Sequence, residues 1–159
     1  NCAFKYEEPL YKMELLSQYA IHSIEQPIKP RQWGYMAQLC RDSPLPIALD
    51  EELIGVNMPD MKAQVLNIIK PSYIVIKPSL HGGMKGTREW VEIARDKGIG
   101  SWITSALESN IGLNAVAQLA ADIYGTGDKV MAQGLGTGQL FTDNIPMPLE
   151  VRGEKLFFN

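Results

Sequence analysis

The chain has 159 residues and a formal net charge of −3, so it is long enough for one domain or for a part of a larger one. The slight negative charge argues against nucleic acid as a partner. No apolar run approaches membrane-spanning length and the first residues do not resemble a signal peptide, so we expect a cytoplasmic protein that does not insert into membranes.

Helices and strands alternate along the chain. Helical spacing of apolar residues predicts five helices, at residues 7–19, 32–42, 57–69, 87–97 and 112–124. Short apolar runs near proline or glycine predict five strands, at residues 21–25, 46–49, 73–77, 100–105 and 130–133. The tail, residues 146–159, is predicted to be a short hairpin with its turn at Arg152–Gly153.

Three successive strands end in charged residues. The first ends at Glu25, the second is followed directly by Asp50, and the third ends at Lys77. Parallel α/β sheets bind ligands at the carboxyl ends of their strands, so we expect these three charges to converge. Glu51 follows Asp50 and should point away from it, because side chains alternate along a strand.

The alternation predicts parallel strands with right-handed crossovers, which fits a doubly wound sheet or a (β/α) barrel. The Rossmann fingerprint is absent, and the charges lie at adjacent strand ends, which favours the barrel. A complete barrel needs roughly 250 residues and eight strands. We therefore predict an α/β chain that is a partial (β/α) barrel of the TIM type, with about five parallel strands and intervening helices over residues 1–145, followed by the tail.

The strand ends also carry a family resemblance. The segments SIEQPI, IALDEEL and YIVIKPS, at residues 23–28, 47–53 and 73–79, resemble the enolase superfamily, which has a metal-binding Glu, a metal-binding Asp and a lysine on successive barrel strands. Residues 103–121, ITSALESNIGLNAVAQLAA, resemble the seventh strand and helix of o-succinylbenzoate synthases, the dehydratases of menaquinone biosynthesis. The run KPSLHGG at residues 77–83 fits the same family.

The resemblance implies a Mg²⁺-dependent lyase that acts on a small carboxylate through an enediolate intermediate. It implies that Glu25 and Asp50 bind the metal and that Lys77 is catalytic, facing the substrate ring as a cation. Four residues match substrate-binding positions: Asn1, Thr104, Ser105 and Gly134. Three more are candidates for supporting roles around the site: Glu51, Glu108 and His81, the last in a glycine-rich loop expected over the site.

The resemblance also implies a missing N-terminal part. Asn1 resembles a family asparagine that follows the first metal-binding Asp by two residues, so that Asp and a Lys-x-Lys pair would lie before Asn1. An isolated chain of this kind would be inactive, and its open sheet edges would favour a homo-oligomer. Two alternatives stay open: an N-acylamino acid racemase or muconate-type cycloisomerase on the same frame, and a non-catalytic, self-associating half-barrel.

Overall fold

The structure is a computed structural model that describes residues 1–5 and 7–159, and of residues 138 and 139 it describes only the backbone. The α-helices are α1 (Pro9–Ser17), α2 (Trp33–Asp42), α3 (Pro59–Ile69), α4 (Gly83–Asp96) and α5 (Asn110–Tyr124). The strands are β1 (Ile24–Glu25), β2 (Ile47–Leu49), β3 (Tyr73–Ile76), β4 (Gly100–Ile103), β5 (Leu149–Arg152) and β6 (Lys155–Phe158). Two short 3₁₀ helices occupy Glu51–Leu53 and Thr137–Leu140.

The first four strands form one parallel sheet in the order β1-β2-β3-β4. Each strand is followed by a helix, and the buried faces of these helices and strands share one apolar core that contains Met36, Leu66 and Trp90. Because neighbouring strands are parallel, all four carboxyl ends lie at the same edge of the sheet. Within the described residues this sheet does not close into a barrel.

The predicted fifth strand, at residues 130–133, is wrong, because the structure has no strand there. A single bridge joins Gly134 to Thr104 beside β4. Before this bridge, the side chain of Gln133 takes the place of a backbone partner: its Oε1 accepts the backbone N–H of Ile103 at 2.7 Å. A side chain that bonds to the backbone in this way competes with the ladder of a sheet.

The other predicted helices and strands begin and end within two residues of the prediction, except β1 and α4. The strand β1 has two residues instead of five, because only Ile24 and Glu25 find partners on β2. The helix α4 begins at Gly83, four residues before the predicted start at Thr87. Glycine is a poor helix former, which hid this first turn. The turn requires glycine at position 86, because a Cβ there would overlap the carbonyl oxygen of His81.

The tail forms an antiparallel hairpin of β5 and β6. Its turn lies at Gly153–Glu154, one residue later than predicted, and Gly153 has a positive φ of 62°. Residues 1–5 and 7–159 include no helix that is both long and apolar enough to cross a lipid bilayer.

Candidate active site

Polar side chains lie at the carboxyl ends of all four parallel strands. Glu25 is the last residue of β1, whereas Asp50, Lys77 and Thr104 directly follow β2, β3 and β4. Asp50 is fully buried, and Lys77 has a side chain that is 20% exposed. This edge therefore holds two carboxylates and one ammonium group from three adjacent strands.

The side-chain amide of Asn1 lies among three carboxylates. Its Nδ2 is 2.7 Å from Oε1 of Glu25, 2.8 Å from Oδ2 of Asp50, and 3.1 and 3.2 Å from the two carboxylate oxygens of Glu51. The oxygens of Glu25 and Asp50 are therefore at most about 5.5 Å apart, the sum of the first two distances. Glu51 does not point away, as strand alternation predicted, because the chain turns into a 3₁₀ helix at Glu51.

Lys77 forms an ion pair with Asp50, its Nζ donating to Oδ2. Burial raises the pKa of the Asp50 carboxyl above its ordinary value, and the nearby Glu25 carboxylate raises it further, whereas the Lys77 ammonium acts in the opposite direction. A positive partner at this site therefore favours the charged form of Asp50.

The donor atoms suit a hard divalent cation. Mg²⁺ prefers carboxylate oxygens, and Glu25, Asp50 and Glu51 supply oxygens that all contact one nitrogen atom. The second oxygen of Asp50, Oδ1, is buried and has no hydrogen-bond partner among the described residues. No three His, Cys, Asp or Glu side chains in that part of the chain form a complete metal-binding group. The carboxylates therefore fit a cation as donors but are gathered here by Asn1 and Lys77.

Two buried residues that the sequence reasoning assigned no role support this edge. The Oε1 atom of Gln26 accepts the backbone N–H groups of Asp50 and Glu52 at 3.1 and 3.2 Å. The Oε1 atom of Glu52 accepts Nε1 of Trp33 at 2.7 Å and the backbone N–H of Arg31 at 2.8 Å. The available signal was polar residues in apolar surroundings, since Gln26 lies between Ile24 and Ile28 and Glu52 precedes Leu53.

His81 lies beneath its loop rather than above the site. Its side chain is fully buried, and its Nδ1 accepts the backbone N–H of Lys77 at 2.8 Å. Burial lowers the pKa of His81 to about 4, and the ammonium groups of Lys77 and Lys62 contribute to this. A neutral His81 therefore holds the backbone that carries Lys77.

A group of hydroxyls lies beyond β4. The Oγ1 of Thr104 and the Oγ of Ser105 donate to the carbonyl of Gly134 at 3.0 and 3.1 Å. The Oγ1 of Thr137, which the sequence reasoning did not single out, donates to the Oγ of Ser105 at 2.6 Å. These contacts join the end of β4 to the glycine-rich segment after α5.

Glu108 is held at the same edge by the loop after β3. Its Oε1 accepts the hydroxyl of Ser79 at 2.5 Å, and its Oε2 is buried without a partner among the described residues. No hydrogen bond described for this part of the chain connects Glu108 to Glu25, Asp50 or Lys77.

Comparison with known proteins places these features in context. Residues 1–155 match the family described as Enolase C-terminal domain-like. The chain is 52% identical over 153 residues to an o-succinylbenzoate synthase of Desulfotalea psychrophila, and the matched region is 96% of this chain and 40% of that protein. It is 32% identical over 117 residues to the o-succinylbenzoate synthase of an Escherichia coli strain, which covers 74% of the chain and 32% of that protein.

Solved structures show the same fold. The crystal structure of MenC from Desulfotalea psychrophila superposes with a TM-score of 0.90 at 52% identity and covers 98% of the chain and 42% of that structure. The muconate lactonizing enzyme from Pseudomonas putida has a TM-score of 0.82 at 24% identity, with coverage of 98% and 42%, and shares the fold alone. The chain spans about 40% of the length of the Desulfotalea synthase that it matches. Over residues 1–155, this chain belongs to the Enolase C-terminal domain-like family.

Proposed function

We propose that this chain is the C-terminal part of an o-succinylbenzoate synthase, a lyase that dehydrates a succinylated hydroxycyclohexadiene carboxylate. The observation that carries the proposal is the 52% identity to the Desulfotalea psychrophila synthase over 96% of the chain. The charges at three adjacent strand ends support it, because an acidic pair beside a lysine suits chemistry on a substrate carboxylate.

In this proposal Glu25 and Asp50 bind Mg²⁺, with Glu51 as a supporting carboxylate. The bound ion would neutralise the negative charge that develops on the substrate carboxylate when the neighbouring proton is removed. Glu25 and Asp50 present oxygens within about 5.5 Å of each other, and Oδ1 of Asp50 has no partner among the described residues, so both can turn towards a cation.

Lys77 is the proposed catalytic residue of this chain. Its ammonium group reaches the same edge from β3 and is mostly buried, so its charge is poorly screened by water. It would face the ring of the substrate as a cation and stabilise negative charge there. Proton transfer in the dehydration would then fall to a lysine outside this chain, on the part of the protein that precedes Asn1.

The set of side-chain hydroxyls beyond β4 is the proposed binding surface for the succinyl carboxylate. The hydroxyls of Thr104 and Ser105, which donate to the carbonyl of Gly134, would turn to donate to the carboxylate, and Gly134 would line the same surface. Asn1 would contact the substrate or the carboxylates beside it. Glu108 would help to orient the loop through Ser79.

The rest of the protein completes the site in this proposal, by supplying a further metal-binding Asp, the lysine base and an N-terminal domain. The short strand β1 and the segment after β4 would then pair with the missing strands. The same two edges would lead the isolated chain to self-associate without activity.

A turnover assay of the complete protein tests the function. With Mg²⁺, the purified protein should convert the cyclohexadiene substrate to o-succinylbenzoate, and removal of the metal with EDTA should abolish this until Mg²⁺ is restored. Asp50→Asn should weaken Mg²⁺ binding, whereas the exposed Asp42→Asn, at the end of α2, should not.

N-acylamino acid racemisation is assayed in parallel, because a 27% identical relative from a Maribacter strain is an L-Ala-D/L-amino acid epimerase. Racemisation without dehydration would replace the proposed function by a racemase. Full dehydration in the presence of EDTA would refute the metal assignment.

A further inference from the structure

Gln26 links the two strand ends that carry the candidate metal ligands. It directly follows Glu25, is fully buried and has a positive φ of 36°, which is uncommon for a residue with a side chain. Its backbone N–H donates to the carbonyl of Ala48 at 2.8 Å, and its carbonyl accepts the backbone N–H of Cys2 at 2.6 Å. The backbone of Gln26 is therefore held on both sides, and its side chain is directed towards β2.

The side chain of Gln26 caps the turn that follows β2. The 3₁₀ helix Glu51–Leu53 receives no capping hydrogen bond from the side chain of Asp50, its N-cap residue. Instead, Oε1 of Gln26 accepts the N–H groups of Asp50 and Glu52, while its Nε2 donates to the carbonyl of Ile28 at 3.0 Å. Gln26 thus uses both ends of its amide, and all three bonds are buried.

This cap holds the backbone from which the Asp50 carboxylate projects. Asp50 has φ −127° and ψ −83°, a backbone conformation outside the regular helix and strand regions, and its N–H is one of the two that Gln26 accepts. Glu52 anchors the other side of the turn on Trp33 and Arg31. Without the acceptor on Gln26, two buried N–H groups would lose their partner, and the turn could recover one only by rotating.

We propose that Gln26 is a positioning residue that sets the separation of the Glu25 and Asp50 carboxylates and thereby the affinity of this edge for a divalent cation. The inference rests on the proposed function only in taking these two carboxylates as the cation ligands. It adds a residue that contacts neither cation nor substrate and acts through the backbone of Asp50. Residues that orient metal ligands typically change metal affinity about 10–100-fold when they are replaced.

Calorimetric titration of the complete protein with Mg²⁺ tests this role. Gln26→Met keeps the size of the side chain but removes the acceptor, and we expect the Kd for Mg²⁺ to rise by about tenfold or more. Gln26→Glu keeps an acceptor for both N–H groups but loses the donor to Ile28 and adds a negative charge, so its Kd should rise less than about tenfold. Gln118→Met, on the exposed face of α5, is the matched control and should leave the Kd unchanged.

Circular dichroism of each variant separates positioning from folding. A folded Gln26→Met protein with the wild-type Kd would overturn the proposal, since Gln26 would then only stabilise the fold. If Gln26→Met does not fold, Gln26→Glu decides: a folded variant whose Kd rises less than about tenfold supports the cap, and a folded variant with a larger rise overturns it. The proposed function is tested separately from this role. If the protein turned over a different substrate, the proposed function would fail, but the ratio of the Mg²⁺ Kd values of the variants and the wild type would be unchanged.

Discussion

Protonation of His81 should destabilise the protein between pH 7 and pH 4. The neutral ring accepts the backbone N–H of Lys77 through Nδ1, and a protonated ring cannot accept it. The folded protein holds the pKa of His81 at about 4, against an ordinary value of 6.5, because the ring is buried near Lys77 and Lys62. Between these two values the unfolded chain binds the proton more readily than the folded protein does.

The size of the effect follows from the two pKa values. Each pH unit between them is equivalent to about 1.4 kcal/mol, so this histidine should contribute about 3 kcal/mol of stability at pH 7 that is lost as the pH falls from about 6.5 to about 4. The sign is that of a depressed pKa: the folded state is favoured above 6.5 and loses that advantage on acidification.

The variant His81→Asn isolates this contribution, because it keeps an acceptor near Nδ1 and removes the titrating ring. Urea unfolding of the complete protein, followed by circular dichroism from pH 7 to pH 4, gives the free energy of unfolding of both proteins. Other titrating groups cancel in the difference. The variant should be less stable at pH 7 because of the cavity it leaves, and the gap should narrow by about 3 kcal/mol at pH 4. Parallel curves for the two proteins would refute the reasoning.

Two further predictions concern Lys77 directly after β3 and Gly86 in the first turn of α4. Lys77→Ala should lower kcat about 10²–10³-fold with an unchanged circular dichroism spectrum, because it removes a poorly screened cation from the site. Lys85→Ala, on the exposed face of α4, is the control. Near-normal turnover of Lys77→Ala would make Lys77 a structural residue. Gly86→Ala should lower the free energy of unfolding by about 1–3 kcal/mol or more, because the added Cβ would overlap the carbonyl oxygen of His81 and lie 3.1 Å from its carbonyl carbon. Gly34→Ala in α2 meets nothing within 4 Å and should be neutral or stabilising by up to about 1 kcal/mol in the same urea titration; equal losses in both variants would contradict the clash at Gly86.

The tertiary structure also decided how some local segments fold. Nothing in the apolar run at residues 130–133 indicated that the amide of Gln133 would accept the N–H of Ile103 in place of a strand backbone. The glycines at residues 82, 83 and 86 indicated a loop, yet the last two lie in the first turn of α4, because that turn packs closely against His81. Both outcomes depend on a neighbour that is distant in sequence or on the close contact of two backbones.

The amino-acid sequence by itself determined the parallel sheet and the residues at its carboxyl edge. Alternating helical and apolar runs imply parallel strands, and parallel strands place Glu25, Asp50 and Lys77 on one edge whatever the details of packing. Only the tertiary structure decided that Gln26 caps the turn after β2 and that His81 is buried under Lys77. These roles arise from hydrogen bonds between side chains and backbone groups on different segments, and the spacing of residues along one segment carries no information about such partners.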